Sequence, residues 1–216
     1  MTKLNLVKGA PIGVFGGTFD PVHFAHLRTA LELLEQYSLQ EIRFIPCKSP
    51  VHKPNALASE QDRLAMLQLA IQHQPHFVID QRELERDTPS YMYLTLESLR
   101  EDFPNNPLCL ILGLDAFLGL PNWYKFEELL QLCHILVVDR EGSKIDLSTH
   151  WFTSYITTNF TSCRQQLAGQ VYFAKTTHLA ISATQIRQLI QSKQNPSYLL
   201  PDAVFEYIQS QKLYGA

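Results

Sequence analysis

The stretch IGVFGGTFDPVHFAH, residues 12–26, decides the fold. A short apolar segment is followed by two glycines and then by an amphipathic stretch, which is the layout of a strand, a turn and a helix N-terminus. Glycines let a backbone approach a phosphate closely, and the free N–H groups of a first helical turn attract negative charge. His23 and His26 are three residues apart, so both lie on one face of that turn. The stretch therefore predicts a site for a nucleoside triphosphate, with the two histidines as charge stabilisers.

Each part of this stretch has a simpler interpretation when it is taken alone. A pair of glycines before a helix is usually a tight turn, and a His-x-x-His pair is usually two surface histidines. The full run is much more specific than either part. It is not a Walker A loop, because no Gly-Lys-Ser/Thr follows it.

Composition is that of an ordinary globular chain. The chain has 216 residues, 45% of them hydrophobic and 18% charged, and a formal net charge of −3. This length suits one α/β domain, residues 1–216, with room for a small appended lobe. Helix patterns near the end of the chain predict a C-terminal helical part at about 180–216. The charge argues against nucleic-acid or membrane partners, although a local basic site can still hold a small anion. No motif fixes the oligomeric state.

Cysteine usage and the absence of long apolar runs predict a cytoplasmic protein. The four cysteines are scattered, without the spacing of a metal site. Cys109 and Cys133 lie in apolar runs and are expected to be buried thiols, which suits a reducing compartment. The N-terminus lacks the hydrophobic region of a signal peptide, and no apolar run is long enough to span a bilayer.

Strand and helix patterns alternate along the chain. Strands are predicted at Ile12–Phe15, Glu41–Pro46, Phe77–Ile79, Leu108–Leu112, Ile135–Val138 and Val171–Ala174. A helix is predicted after the glycines, with Leu27, Ala30, Leu31 and Leu34 facing inward. A second is predicted after the N-cap Ser59, with Leu64, Leu67 and Ile71 facing inward. Further helices are predicted from Pro89-Ser90 toward Phe103, near Phe126–Leu132, at Ala183–Gln191 and at Asp202–Gln211. The segment from Glu141 to Gly169 gives no clear pattern.

This alternation predicts a Rossmann-like, mainly parallel sheet with helices on both faces. Ligands of such sheets bind beyond the carboxyl ends of the strands. The glycine–histidine run, the proline-containing loop 47–58 and Gly113–Asp115 each follow a predicted strand, so we expect them to converge on one cleft.

A second phosphate-binding segment is predicted at Ile181–Arg187, the start of a helix. Ser182 is a good N-cap, and a capped helix with a surface arginine is the simpler interpretation. Beside the histidine run, the hydroxyls of Ser182 and Thr184 and the guanidinium of Arg187 are what a triphosphate needs.

Other polar and aromatic residues near the predicted cleft are weaker candidates. Asp115 suits either a ribose hydroxyl or a helix cap, and Trp123 and Tyr124 suit either stacking on a heteroaromatic ring or core packing. Basic groups that could reach a phosphate, or simply face solvent, are His52, Lys53 and Arg140.

With these motifs the chain resembles the bacterial nicotinate-nucleotide adenylyltransferases, which belong to the nucleotidyltransferase superfamily marked by a His-x-Gly-His motif. The resemblance covers nearly the whole chain. Its marks are Gly16–His26, Pro50–Pro54 with His52-Lys53, Arg63 and Met66, Glu83–Arg86, Pro89-Ser90-Tyr91, Gly113–Asp115, Trp123-Tyr124, Arg140 and Ile181–Arg187. Two positions depart from the pattern: Ala25 replaces the usual glycine, and Met92 replaces a common threonine or serine.

The resemblance implies transfer of an adenylyl group from ATP to nicotinate mononucleotide, which gives deamido-NAD and pyrophosphate. It implies that His23 and His26 are catalytic and that Mg²⁺ arrives with ATP, without a metal site on the protein. The ATP-binding residues would be Gly16, Gly17, Thr18, Phe19, Ser182, Thr184 and Arg187. The residues for the other substrate would be His52, Lys53, Ser90, Tyr91, Asp115, Trp123, Tyr124 and Arg140.

Three alternatives are weighed from the sequence. A fragment of a class I aminoacyl-tRNA synthetase would share the histidine motif, but the chain is too short and lacks an evident basic surface for tRNA. The other two stay open. One is another adenylyltransferase of the superfamily, using nicotinamide mononucleotide or phosphopantetheine. The other is a non-catalytic nucleotide-binding regulator, which would bind ATP without releasing pyrophosphate.

Overall fold

The computed structural model describes residues 9–48, 56–139 and 151–216. Among these residues, the strands form one six-stranded sheet in the order β3-β2-β1-β4-β5-β6. The strands are β1 (Ile12–Gly17), β2 (Glu41–Pro46), β3 (Phe77–Ile79), β4 (Leu108–Gly113), β5 (His134–Asp139) and β6 (Val171–Lys175). The pairs β1–β4, β4–β5 and β5–β6 are parallel. The predicted Rossmann-like sheet is therefore confirmed, and every predicted strand is present.

The apolar strands form the core of the sheet. Leu108 to Leu112 in β4 are all buried, as expected for a parallel strand covered on both faces. Cys109 and Cys133 are buried too, which confirms the prediction for these two thiols.

Helices fill the connections between the strands. They are α1 (Phe24–Gln36), α2 (Glu60–Ile71), α3 (Arg82–Glu85), α4 (Met92–Asp102), α5 (Leu114–Leu118), α6 (Phe126–Leu132), α7 (Phe160–Gln165), α8 (Ala183–Gln191) and α9 (Asp202–Ser210). Ser59 caps α2 as predicted, because its hydroxyl accepts from the Asp62 N–H. In the part of the chain that is described, no helix is long and apolar enough to cross a membrane.

Two helix predictions need correction. The helix expected from Pro89-Ser90 begins only at Met92, with Tyr91 in the N-cap position. In α2 the buried face includes Arg63 and Met66 beside Leu67 and Ile71, whereas Leu64 is only half-buried.

The chain divides into two compact units. The described residues of the first unit lie within Met1–Phe15, Glu32–Arg43 and Tyr91–Thr176. Those of the second unit lie within Gly16–Leu31, Phe44–Ser90 and Thr177–Ala216. The predicted single domain and the predicted common cleft both stay predictions. The C-terminal helical part falls in the second unit as α8 and α9.

Candidate functional site

The loop that leads from β1 to α1 differs from the predicted glycine turn. Gly16 and Gly17 belong to the end of β1, and the chain turns at the residues that follow. Phe19 takes a left-handed conformation with φ 50°, and the Asp20–Pro21 peptide is cis. The ring of Phe19 folds back so closely that a Cβ on Gly17 would lie 2.9 Å from it, which explains the glycine.

The two histidines meet at the start of α1. His23 precedes the helix, and its carbonyl accepts from the N–H groups of His26 at 3.0 Å and Leu27 at 3.3 Å. The imidazole rings lie 3.7 Å apart with an angle of 30° between their planes, so the prediction of a shared face is confirmed. Phe19 contacts the His26 ring edge-on at 5.2 Å.

A side-chain contact fixes the tautomer of His26. The backbone N–H of His23 donates to Nδ1 of His26 at 3.3 Å, which is the reciprocal contact of a capping box. Nδ1 is an acceptor in this bond, so the neutral ring carries its proton on Nε2. In this tautomer the donor of the His26 ring is Nε2–H.

His23 is held in its neutral form by burial. His23 is only 5% exposed, and its Nδ1 is buried without a hydrogen-bond partner among the described residues. Burial lowers the pKa of His23 from 6.5 to about 4. The His23 imidazole is therefore neutral near pH 7 and supplies no standing positive charge.

Asp20 connects the histidine loop to three other segments of the second unit. The carboxylate accepts from the backbone N–H groups of Leu57 at 2.8 Å and Ala58 at 3.1 Å. It also accepts from the Tyr214 hydroxyl at 2.6 Å, and the Arg187 guanidinium lies 3.8 Å from Oδ2. The loop is thus fixed three residues before His23.

The predicted phosphate-binding segment is a capped helix whose polar groups already have partners. The Ser182 hydroxyl accepts from the Gln185 N–H at 3.1 Å and caps α8. Arg187 donates to the carbonyl of Asp20 at 2.6 Å and to the Thr184 hydroxyl at 3.3 Å. The structure therefore brings Arg187 to the loop that carries the histidines, and Thr184 contacts Arg187.

A buried guanidinium ties together the carboxyl ends of β1 and β2. Arg63 is 1% exposed and donates to the carbonyls of Thr18 at 2.8 Å and Cys47 at 2.7 Å. These bonds hold Thr18, a predicted ATP contact, beside the end of β2. The Cys47 thiol also lies 3.7 Å from the Thr18 hydroxyl.

Two neighbours in sequence, Ser90 and Tyr91, fall in different units. In the second unit, the Ser90 hydroxyl accepts from the Lys48 N–H at 3.0 Å. In the first unit, Tyr91 stacks on Tyr124 with 4.6 Å between ring centroids and 29° between planes. Lys125 adds a cation 4.3 Å from the ring centre of Tyr93.

The remaining candidates of the first unit lie on short elements after β4. Asp115 is exposed in the first turn of α5, and Gly113 occupies the N-cap position, so the helix-cap interpretation of Asp115 is wrong. Trp123 is half-buried at the end of a short 3₁₀ turn, Leu120–Asn122. His52, Lys53 and Arg140 lie outside the described residues.

Sequence reasoning missed three residues that hold the site. From the sequence, Asp20 is only part of the histidine motif, and Arg63 is only a mark of the family resemblance. Arg63 had a signal, since it precedes Leu67 and Ile71 by four and eight residues on the buried face of α2. Tyr214 had none, because its contact spans 194 residues of sequence.

Comparison with known proteins defines the class to which this fold and site belong. The cytidylyltransferase-like family model matches residues 14–189, so the chain belongs to the cytidylyltransferase-like family. A solved nicotinic acid mononucleotide adenylyltransferase of Plasmodium falciparum has the same fold, with TM-score 0.73, 20% identity, and coverage of 95% of this chain and 98% of that one.

Full-length relatives narrow the assignment within that class. One from Aeromonas salmonicida is 44% identical over 96% of this chain and 98% of its own length. One from Methylococcus capsulatus is 45% identical over 94% of this chain and 99% of its own length. Both are named probable nicotinate-nucleotide adenylyltransferases, and the chain belongs with them to that family.

Proposed function

We propose that this chain is an enzyme that transfers the adenylyl group of ATP to nicotinate mononucleotide, giving deamido-NAD and pyrophosphate. The observation that carries the proposal is the close pair of imidazole rings of His23 and His26 at the start of α1, with His23 held neutral by burial, in a chain of this family. Cytoplasmic localisation remains part of the same proposal.

The reaction asks for positioning rather than for a base. The phosphate of the mononucleotide is already ionised near neutral pH, so it can attack the α-phosphorus of ATP in line. Charge then builds up on phosphate oxygens and on the leaving pyrophosphate, and catalysis depends on orientation and hydrogen-bond donors. Nε2–H of His26 is such a donor, because Nδ1 is occupied by the His23 N–H.

The second unit carries the groups proposed for ATP. Thr18, His23 and His26 would meet the α- and β-phosphates, and Arg187 would meet the β- and γ-phosphates. Two of them are already fixed, Thr18 by the Arg63 guanidinium and Arg187 by the carbonyl of Asp20. Fixed donors stabilise a developing charge without the cost of reorienting.

We propose that magnesium arrives as part of the substrate MgATP. Among the described residues, no group of three or more His, Cys, Asp or Glu side chains is placed to hold a metal ion. The triphosphate itself supplies oxygen ligands of the kind that Mg²⁺ prefers.

The first unit carries the groups proposed for the pyridine ring. The helix α4 begins at Met92 without a side-chain cap, so the N–H groups of its first turn can meet a carboxylate, helped by the helix dipole. Backbone donors do not depend on a hydroxyl at position 92. Trp123 would stack on the ring and hold it against these donors.

Pyrophosphate release tests the proposed reaction. The wild-type chain is assayed with MgATP and one acceptor at a time: nicotinate mononucleotide, nicotinamide mononucleotide or phosphopantetheine. We expect rapid release with the first and much slower release with the others. Faster release with another acceptor contradicts the proposed substrate, and ATP binding without release with any of them indicates a regulator.

Substitution of Trp123 tests the ring-binding part. Each helix-end contact contributes only about 0.3–1 kcal/mol when exposed and up to about 2 kcal/mol when partly buried. Several such contacts must therefore act together on the carboxylate, which requires that the pyridine ring be held in one orientation. We expect Trp123→Ala to lower kcat/KM for nicotinate mononucleotide and to leave the affinity for MgATP near that of the wild type. Unchanged use of nicotinate mononucleotide removes Trp123 from the site.

A further inference from the structure

The Asp20 carboxylate in the histidine loop has partners from three distant parts of the sequence. Asp20 is 5% exposed, and its donors come from positions 57, 58, 187 and 214. A buried carboxylate needs such donors, because an ionised group without partners is costly to bury. The result is a single side chain that connects four segments of the second unit.

The donor from the far end of the described chain is itself held firmly. Tyr214 is 9% exposed and takes a left-handed conformation with φ 58° in the turn Leu213–Gly215. The ammonium of Lys193, which follows α8, donates to the carbonyl of Gly215 at 2.6 Å. Burial raises the pKa of the Tyr214 phenol, and the bond to Asp20 raises it further. The phenol therefore keeps its proton and remains a hydrogen-bond donor.

The same aspartate also sets the position of Arg187. The guanidinium donates to the Asp20 carbonyl at 2.6 Å and lies near the carboxylate at 3.8 Å. Asp20 precedes His23 by three residues and His26 by six. A shift of Asp20 therefore moves the two histidines and the arginine together.

We propose that Asp20 and Tyr214 are positioning residues for adenylyl transfer, with Tyr214 holding the carboxylate that places the histidine pair and Arg187. This assignment deepens the proposed function and rests on it. Neither residue needs to touch a substrate. The turn Leu213–Gly215 thereby becomes part of the catalytic apparatus.

The chain offers a matched pair of substitutions. Tyr214→Phe removes one hydroxyl bonded to Asp20 and keeps the ring. Tyr207→Phe removes one hydroxyl bonded to a different carboxylate, Asp62, at 2.9 Å in the same unit. Both variants lose a tyrosine–carboxylate bond, so a purely structural role predicts similar effects on activity.

The kinetic readout separates positioning from folding. We expect Tyr214→Phe to lower kcat about tenfold, since small displacements of reacting groups cost rate steeply, while KM for nicotinate mononucleotide changes less than about twofold. Tyr207→Phe is expected to keep the wild-type kcat and KM. Equal kcat values for the two variants overturn the proposal, whatever their thermal midpoints.

A second readout does not depend on turnover. The imidazole NMR signals of His23 and His26, assigned with His23→Asn and His26→Asn, are expected to shift in Tyr214→Phe and to stay in place in Tyr207→Phe. If the wild type does not use nicotinate mononucleotide, the proposed function fails and these signals alone decide the positioning role. Signals that match the wild type in both variants overturn it.

A third variant covers the case in which Tyr214→Phe does not fold. Asp20→Asn keeps the size of the side chain but removes its charge and leaves one acceptor oxygen. We expect it to lower kcat and to shift both imidazole signals. A folded Asp20→Asn protein with wild-type kcat and signals overturns the proposal.

Discussion

At the scale of single residues, the histidine motif predicts a shared face but not the state of each ring. The closeness of the His23 and His26 rings, with centroids 3.7 Å apart, agrees with their three-residue spacing at the start of α1. The tautomer of His26 depends on a bond to the backbone of His23, and the neutrality of His23 depends on burial by surrounding segments. Neither is readable from the motif, because both depend on how the loop folds.

Substitution of His26 should affect rate much more than stability. Loss of one preorganised donor typically costs about 10²–10³-fold in kcat, so we expect that loss in His26→Ala. The alanine also removes the capping contact to the His23 N–H, which costs about 1 kcal/mol of stability. Pyrophosphate release and urea unfolding measure the two effects.

His26→Asn is the matched control, because asparagine can still accept from the His23 N–H. We expect the same loss of kcat with a smaller loss of stability. Near-normal turnover in a folded His26→Ala protein removes His26 from the catalytic assignment.

Burial of His23 predicts a pH dependence of stability. Its pKa is lowered from 6.5 to about 4 in the folded protein, so the unfolded chain binds the proton more readily. The stability that comes from the neutral ring is fully present above pH 6.5 and is lost as the pH falls toward 4. The lowered pKa corresponds to about 3 kcal/mol over that range.

Urea unfolding of wild type and His23→Asn between pH 7.5 and pH 4.5 measures the contribution of His23 to the free energy of unfolding, as the difference between the two proteins. We expect the wild type to lose more stability than the variant on acidification. His134, whose pKa burial also lowers, is present in both proteins and cancels. Parallel pH profiles would show that His23 is not buried in its neutral form.

At the scale of elements, patterns of apolar residues locate most strands and helices, and local chemistry locates some ends. Glu41–Pro46, Phe126–Leu132 and Ala183–Gln191 have the predicted bounds. Short helices such as α3 and α5 escape, since four or five residues hold too little of a 3.6-residue period to be recognised. The strand β1 runs two residues beyond its predicted end at Phe15, and Gly17 serves the close approach of Phe19 rather than a turn.

Arg187 in the helix α8 gives a prediction at this scale. Arg187 contacts both Thr184 on its own helix and Asp20 in the histidine loop. We expect Arg187→Ala to weaken MgATP binding about tenfold or more, since charge-assisted contacts are among the stronger polar ones. It should also lower kcat, because the loop loses a fixed partner.

Isothermal titration with MgATP and with nicotinate mononucleotide measures the binding effect. Gln188→Ala is the control, because Gln188 is exposed on the same helix. We expect the variant Arg187→Ala to bind nicotinate mononucleotide like the wild type. Equal weakening of both ligands, or of neither, contradicts the proposed role of Arg187.

At the scale of the whole molecule, two arginines hold the two units internally. In the first unit, Arg100 donates to the carbonyls of Phe103 and Asn106 and to those of Leu132 and Leu167, at 2.7–3.0 Å. In the second unit, Arg63 joins Thr18 to Cys47. Composition and periodicity do not reveal such contacts, because the partners are backbone carbonyls up to 67 residues away. This is why the sequence predicts the sheet but not what fixes its loops.

The two arginines predict a separation of stability from activity. Arg100→Met leaves four carbonyls without a charged donor, and Arg63→Met leaves two, so each variant should lose about 3 kcal/mol or more of stability. Only Arg63 holds a proposed ATP contact, Thr18. We therefore expect Arg63→Met to lower kcat and weaken MgATP binding, whereas folded Arg100→Met should keep wild-type kcat and KM. Urea unfolding gives the stability change, and pyrophosphate release at a temperature where circular dichroism shows both variants folded gives the activity. A loss of kcat in Arg100→Met equal to that in Arg63→Met would mean that the internal stability of the first unit, and not the anchoring of Thr18, limits turnover.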